Sequence, residues 1–299
     1  MNGSERLFVI IFISVFICSV CICRMDCNAS EGSKTPCRVV SMAPHITETI
    51  FALGCGGRIV GVTDFCVYPK EAMGLPKLGG AINPNLERLA SLRPDLVVVQ
   101  GKNERLIRFC NKRRVPVLNL EMEDIESIYD GIGRLGKALN CSQNANTLCG
   151  SIRKGLEEVR ESVAGLPRKE VFLCLGRMSE DFTNIFTVGG SSFISEILHI
   201  AGGRNIFSSI NQRYPEISKE SIIKKAPEII IETRVGEDLS NCEKEEISKE
   251  WKRLTSLKAA SQGRVYVFTE NFLLMPGPRV VKAARLLAEA IHQGAQDGR

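Results

Sequence analysis

Histidine is nearly absent from this chain: His45, His199 and His292 are the only three in 299 residues. None has Cys, His or Asp neighbours at ligand spacing, so the converging donors of a transition-metal centre are not legible. Aromatic residues are scarce at 6%, with a single Trp, which argues against a carbohydrate-stacking surface or an oligonucleotide platform. No charge sign dominates. The 39 Lys and Arg against 34 Asp and Glu leave a net +5, too mild and too dispersed for nucleic-acid binding. Walker A and GxSxG patterns are missing. Gly54-Cys55-Gly56-Gly57 lacks the dinucleotide spacing and follows a helical segment rather than a strand. Nothing singles out a nucleophile among the cysteines. The chain therefore reads as a non-enzyme, with no catalytic residue, no metal and no catalytic cofactor. What remains is an ordinary globular composition, 44% hydrophobic and 24% charged, long enough for about two domains.

The one long apolar run is at the start. After Arg6, Leu7 to Cys23 carries no charge, yet falls short of the roughly 20 residues of a membrane span. A basic start followed by a short apolar run reads as an export signal over 1–23, with an uncleaved membrane anchor as the alternative. Cys18, Cys21, Cys23 and Cys27 lack the small residues that precede a lipidated cysteine. Residues 24–36 read as a polar linker. Of 12 cysteines, those beyond the apolar run number nine, an odd count; their spacings fit no zinc site and choose no disulfide pairing.

From Arg38 onward short apolar strands alternate with helical patterns. Strands are expected at 38–42, 59–62, 96–99, 117–120 and 171–175. Helices are expected near 47–53, capped by Thr47, and at 86–92 and 103–113. This alternation points to parallel βαβ units. Leu148, Ile152, Leu156, Val159 and Val163 step by helical spacing along one long segment. The chain also repeats itself. Asn85–Val99 and Ser218–Ile231 each carry a Glu seven residues before a Pro, and in each a Pro-acid pair leads into an apolar strand. Thr47–Gly54 likewise resembles Ser195–Gly202. The fold expected is α/β, with two similar α/β lobes bridged by a single long helix. The lobes span 37–140 and 166–293, the bridging helix 141–165, and the ligand cleft lies between the lobes.

Several blocks resemble a known family. They are Ser41-Met42-Ala43-Pro44-His45-Ile46-Thr47-Glu48, Val62–Pro69, Asn83-Pro84-Asn85-Leu86-Glu87 and Leu92–Leu96. Further on stand Thr187–Ile194, Ala201–Phe207 and Pro276-Gly277-Pro278-Arg279. Together they are similar to the periplasmic binding proteins for vitamin B12 and iron-siderophores, from about Arg38 to His292. The resemblance implies two lobes on a rigid helix with little hinge closure. It implies an extracytoplasmic receptor, in the periplasm or on the outer face of the cytoplasmic membrane. Such a receptor hands its ligand to an ABC importer, a permease dimer with its ATPase. The cobalamin-type members look most similar, so a cobalamin-type corrinoid is the expected ligand. The alternatives are a ferric siderophore, with Arg177, Arg213 and Tyr214 as candidate contacts, or haem, with Tyr68 or His45 as axial ligand. An enzyme or chelatase on the same scaffold is the reading from another class. The chain departs from the cobalamin receptors at Gly80-Ala81-Ile82, where a Trp would offer a stacking face.

Candidates for the cleft surface are His45, Phe65, Tyr68, Phe182, Tyr214 and Phe272. Phe182 and Phe272 stand out because both sit in polar loops. The resemblance places a Glu at the tip of each lobe, and the internal repeat independently pairs Glu87 with Glu220. These two are the candidates for docking onto the permease.

Overall fold

The structure is a computed structural model describing residues 35–178 and 181–293. The expected leader at 1–23 and residues 24–34 of the linker lie outside the described residues. No helix among the described residues is long and apolar enough to cross a membrane.

The first half builds a four-stranded parallel sheet from β1 (Val39–Ser41), β2 (Ile59–Val62), β3 (Leu96–Gln100) and β4 (Val117–Leu120), in the order β2-β1-β3-β4. Its helices are α1 (Pro44–Ala52), α2 (Leu86–Ser91), α3 (Glu104–Lys112) and α4 (Ile125–Ala138). Helix α5 (Ser142–Ser162) follows. The second half builds a mixed sheet in the order β10-β9-β5-β6-β8, with β7 beside β5. Its strands are β5 (Lys169–Met178), β6 (Thr183–Thr187), β7 (Gly203–Asn205), β8 (Glu216–Ile217), β9 (Ile229–Thr233) and β10 (Val265–Phe268). Its helices are α6 (Phe193–Ile200), α7 (Lys219–Lys225), α8 (Asn241–Trp251), α9 (Lys258–Ser261) and α10 (Val280–His292).

Local chemistry explains most boundaries. Asn85, Asn103, Asp124, Ser192, Ser218 and Ser240 each cap a helix by accepting a backbone N–H from the first turn. The cap expected at Thr47 is not there. Helix α1 starts three residues earlier, with Pro44 in its first turn, where a missing N–H costs nothing. Thr47 is instead buried inside the helix and donates to Ser41 Oγ at 2.8 Å. The repeated Pro-acid pairs have a shared structural task. Asp95, just before β3, accepts from the N–H groups of Cys37 and Arg38 at 2.9 Å each. Glu228, just before β9, accepts from Glu170 N–H at 3.0 Å and from Lys169 Nζ at 3.3 Å. In both halves the acid ties down the start of the neighbouring strand.

Strand residues alternate between two burial partners, as the period of two requires. Val39, Leu96 and Val98 face one large core, whereas Val40, Val97 and Val99 face a smaller cluster with Leu89 and Leu106. In the second sheet Val171, Leu173, Ile229 and Ile231 face the large core, while Phe172, Cys174 and Ile230 pack with Trp251 and Leu257. The large core is continuous across both halves. It runs from Ile46 and Ile50 through Ile132, Ile152 and Leu156 to Ile197, Leu287 and Ile291. Helix α5 contributes Ile152, Leu156 and Val159 as buried residues, with Leu148 and Val163 half-buried. Residues 36–293 belong to one compact unit.

Candidate ligand cleft

In open α/β sheets, ligands bind beyond the carboxyl ends of parallel strands. In this chain the segments that follow those ends, 42–45 after β1, 63–69 after β2 and 121–124 after β4, meet loops of the second half. Glu48, on the first turns of α1, is 3% exposed in its side chain and forms a two-pronged pair with Arg279, which precedes α10. Arg279 Nε donates to Oε2 at 2.7 Å and Nη2 to Oε1 at 2.5 Å. The guanidinium carbon also lies 4.1 Å from the centre of the Tyr68 ring and 5.5 Å from that of Phe272. One arginine therefore pairs with a carboxylate and lies against two aromatic rings. At Gly277 a Cβ would stand 3.3 Å from His45 Cβ, so the 276–279 turn lies directly against the start of α1.

A second crossing joins Arg213 Nη1 to Glu123 Oε2 at 2.5 Å, beside the Phe193 N–H that donates to the Glu123 carbonyl at 2.8 Å. The loop carrying Arg213 is shaped by the Thr187–Ile194 block. A Cβ at Gly189 would fall 1.9 Å from the Gln212 carbonyl oxygen, and one at Gly190 would fall 2.1 Å from that of Ser208. Only glycine admits this approach, which lets Gly189 N–H donate to Arg213 O at 2.8 Å and Gly190 N–H to Ile210 O at 2.9 Å. In the Ala201–Phe207 block, buried Asn205 donates to Val188 O at 2.8 Å. Both blocks build the loop that presents Arg213 and Tyr214.

The sequence candidates end up in four kinds of place. Phe65 is 67% exposed, Tyr68 42% and Tyr214 44%, an unusual display of large apolar surface. Phe272 is half-buried beneath Arg279. His45 belongs to the floor rather than the surface. It is buried, with Nε2 2.6 Å from Gln100 Oε1, and burial pushes its pKa down to about 4 against the pull of that hydrogen bond. Phe182 does not line the cleft. It is 5% exposed, with its ring centre 4.7 Å from that of Trp251, inside the second lobe's own cluster. A polar sequence neighbourhood hid that contact, because the ring's partner arrives from α8, far along the chain.

Arg177 is likewise drawn inward. It donates to Glu232 at 3.1 Å and Glu250 at 2.5 Å, while Glu232 also accepts from Trp251 Nε1 at 2.6 Å and Arg234 at 2.8 Å. The network fixes the ends of β5 and β9 to α8. Glu87 and Glu220 are both exposed and occupy the second position of α2 and α7, behind a capping Asn85 and Ser218. The Glu220 carboxyl is held below its usual range by its own backbone N–H and by the Ser218 hydroxyl. Sequence reasoning missed the pairing of Glu48 with Arg279, although both residues stand in quoted blocks. A cavity of about 700 Å³ lies elsewhere, lined by Tyr129, Arg153, Leu156 and His199 of α4, α5 and α6; none of the exposed aromatic residues reaches it.

This arrangement has known counterparts. An uncharacterised ABC transporter substrate-binding lipoprotein of Bacillus subtilis (strain 168) is 28% identical over 264 residues, covering 87% of this chain and 81% of that protein. A vitamin B12-binding protein of Vibrio parahaemolyticus is 27% identical over 248 residues, covering 82% of this chain and 86% of that protein. The crystal structure of a periplasmic heme binding protein from Pseudomonas aeruginosa shares the fold, with a TM-score of 0.74 and 24% identity over 86% of this chain and 93% of that one. The periplasmic binding protein family pattern spans residues 39–271, from the first strand of one lobe to the aromatic turn beneath Arg279, and the chain is a member of that family.

Proposed function

We propose that this chain is the extracytoplasmic receptor of an ABC importer and that its ligand is a cobalamin-type corrinoid. The observation that carries the reading is the group of exposed apolar side chains at the strand ends. Phe65, Val67 and Tyr68 stand on one loop and Tyr214 on a loop of the other lobe. A broad, flat, partly apolar ligand suits such a surface. Phe65 and Ile82, which is 92% exposed, offer apolar area near the segment where a stacking Trp is missing. Relatives named for vitamin B12 binding support the choice. Residues 1–23 serve as the leader or tether and 24–36 as its linker, ahead of lobes 37–140 and 166–293 on the bridging segment 141–165. Glu87 and Glu220 dock the receptor onto the permease dimer, whose ATPase drives uptake.

Haem is the second reading, because a specific side chain favours it. Tyr68 presents a phenol at the surface with a guanidinium against its ring, whereas His45, buried on Gln100, is poorly placed as an axial ligand. A ferric siderophore finds less support, since Arg177 is committed to Glu232 and Glu250 and Arg213 to Glu123. Calorimetric titration with cyanocobalamin, haemin and a ferric catecholate tests the assignment. Micromolar or tighter binding of cyanocobalamin is the expected result. Binding of haemin alone, with a Tyr68→Phe variant losing its absorbance band, would replace the corrinoid by haem. Binding of none would remove the receptor reading of the cleft.

A further inference from the structure

Cys55 lies in the turn between α1 and β2, and Cys141 immediately precedes α5. Their sulfur atoms are 3.5 Å apart although 86 residues separate them. The backbone on both sides is already pinned. Arg58 Nη1 donates to Leu139 O at 2.7 Å and Asn144 Nδ2 donates to Leu53 O at 2.9 Å. Cys55 N–H donates to Ile50 O at 3.0 Å and Cys141 N–H to Gly136 O at 2.8 Å. A disulfide requires a sulfur separation of about 2.05 Å, so the two sulfurs have only about 1.5 Å further to approach. Cys55 is buried and Cys141 half-buried, which gives a small oxidant one accessible sulfur.

We propose that Cys55 and Cys141 form a disulfide that staples the first lobe to the spine helix α5 when the protein meets an oxidising disulfide. The chemistry balances by two exchanges. The Cys141 thiolate, having lost its proton to solvent, attacks a sulfur of oxidised glutathione and expels one glutathione thiolate, leaving a mixed disulfide on Cys141. The Cys55 thiolate, likewise deprotonated, attacks the Cys141 sulfur and expels the second glutathione. Two protein thiols become one disulfide, and one glutathione disulfide becomes two thiols. Closing a loop of this length restricts the unfolded chain more than the folded one. The effect falls where α1, the β2 approach and the spine meet, so the staple holds the orientation of the cleft's first wall. The inference is independent of which ligand the cleft takes.

The full chain, reduced and purified, is incubated with oxidised glutathione in mildly alkaline buffer, because burial and the neighbouring Cys55 push the Cys141 thiol up to about 11. It is then alkylated without reductant, digested and mapped by mass spectrometry. The expected result is a Cys55–Cys141 linked peptide, together with a melting temperature about 5 °C or more above that of the reduced protein. Cys55→Ser and Cys141→Ser are each expected to abolish both the link and the reductant-sensitive part of the melting temperature. Alkylation of both thiols in the treated protein would overturn the pair. A linked peptide without a change in melting temperature would overturn the staple, as would a shift that survives in Cys141→Ser.

Discussion

Helices α1 and α6 carry the segments whose sequences resemble one another, and each sends a glutamate into the opposite lobe. Glu48 of α1 reaches Arg279 at the start of α10, and Glu196 of α6 accepts from Ile125 N–H, the first residue of α4, at 3.0 Å. The placement is the same, but the chemistry differs. Glu48 meets a full cation in a buried site, whereas Glu196 meets only the positive end of a helix. Burial raises both carboxyls above the usual range, opposed by Arg279 in one case and by the Ile125 N–H in the other. The first contact also adjoins the rings of Tyr68 and Phe272, while the second borders the cavity flanking α5. Matching positions thus hold an arginine beside the cleft aromatics in one half and anchor a helix start in the other.

The sharpest way to break this comparison is Glu48→Ala, which leaves Arg279 buried without its carboxylate. A loss of about 3–5 kcal/mol is expected in denaturant unfolding, with weakened ligand binding because Arg279 no longer holds Tyr68 and Phe272 in place. A loss below about 1 kcal/mol would mean that the crossing is solvated.

Acid probes the same wall through His45. Its folded pKa of about 4 lies below the ordinary 6.5, so between these values the unfolded chain binds more protons than the folded one. Stability therefore holds above pH 6.5 and falls by about 3 kcal/mol on acidification towards pH 4. His45→Gln should flatten that slope in urea titrations across the window. An unchanged slope would assign the acid sensitivity to another group.

Glu196→Ala removes a single hydrogen bond to a helix N-terminus and should cost about 1–2 kcal/mol, clearly less than Glu48→Ala by the same measurement. Equal losses would erase the distinction between the two contacts. The smallest effect on the fold belongs to Glu87→Ala with Glu220→Ala, because both carboxylates are exposed in the first turn of a helix that already has a capping side chain. Ligand affinity should be intact in this double variant and uptake by cells abolished. Normal uptake would detach these residues from docking.

Regular elements were legible because they obey short-range rules. The strands at 96–99 and 117–120 and the helix at 103–113 follow from short apolar runs alternating with helical spacing. The α5 stripe at Ile152, Leu156 and Val159 follows from helical spacing. What the sequence hid depends on distant partners. Phe182 looked like a loop residue until Trp251 covered it. Tyr68 and Phe272 were legible as candidates, but not that Arg279 lies against both rings. The equal offset from Glu to Pro in the two halves looked functional, yet Asp95 and Glu228 show that part of it serves strand ends.

The contact between Glu48 and Arg279 has a temporal side. It joins residues 231 positions apart, and α10 behind it supplies Leu287 and Ile291 to the core shared with α5 and α6. Pairings so remote in sequence carry a large loop-closure cost and form late. A chain emerging from its amino end can assemble the first sheet early but has no complete core until its last helix arrives. Completion of the shared core thus waits for α10, the last helix among the described residues.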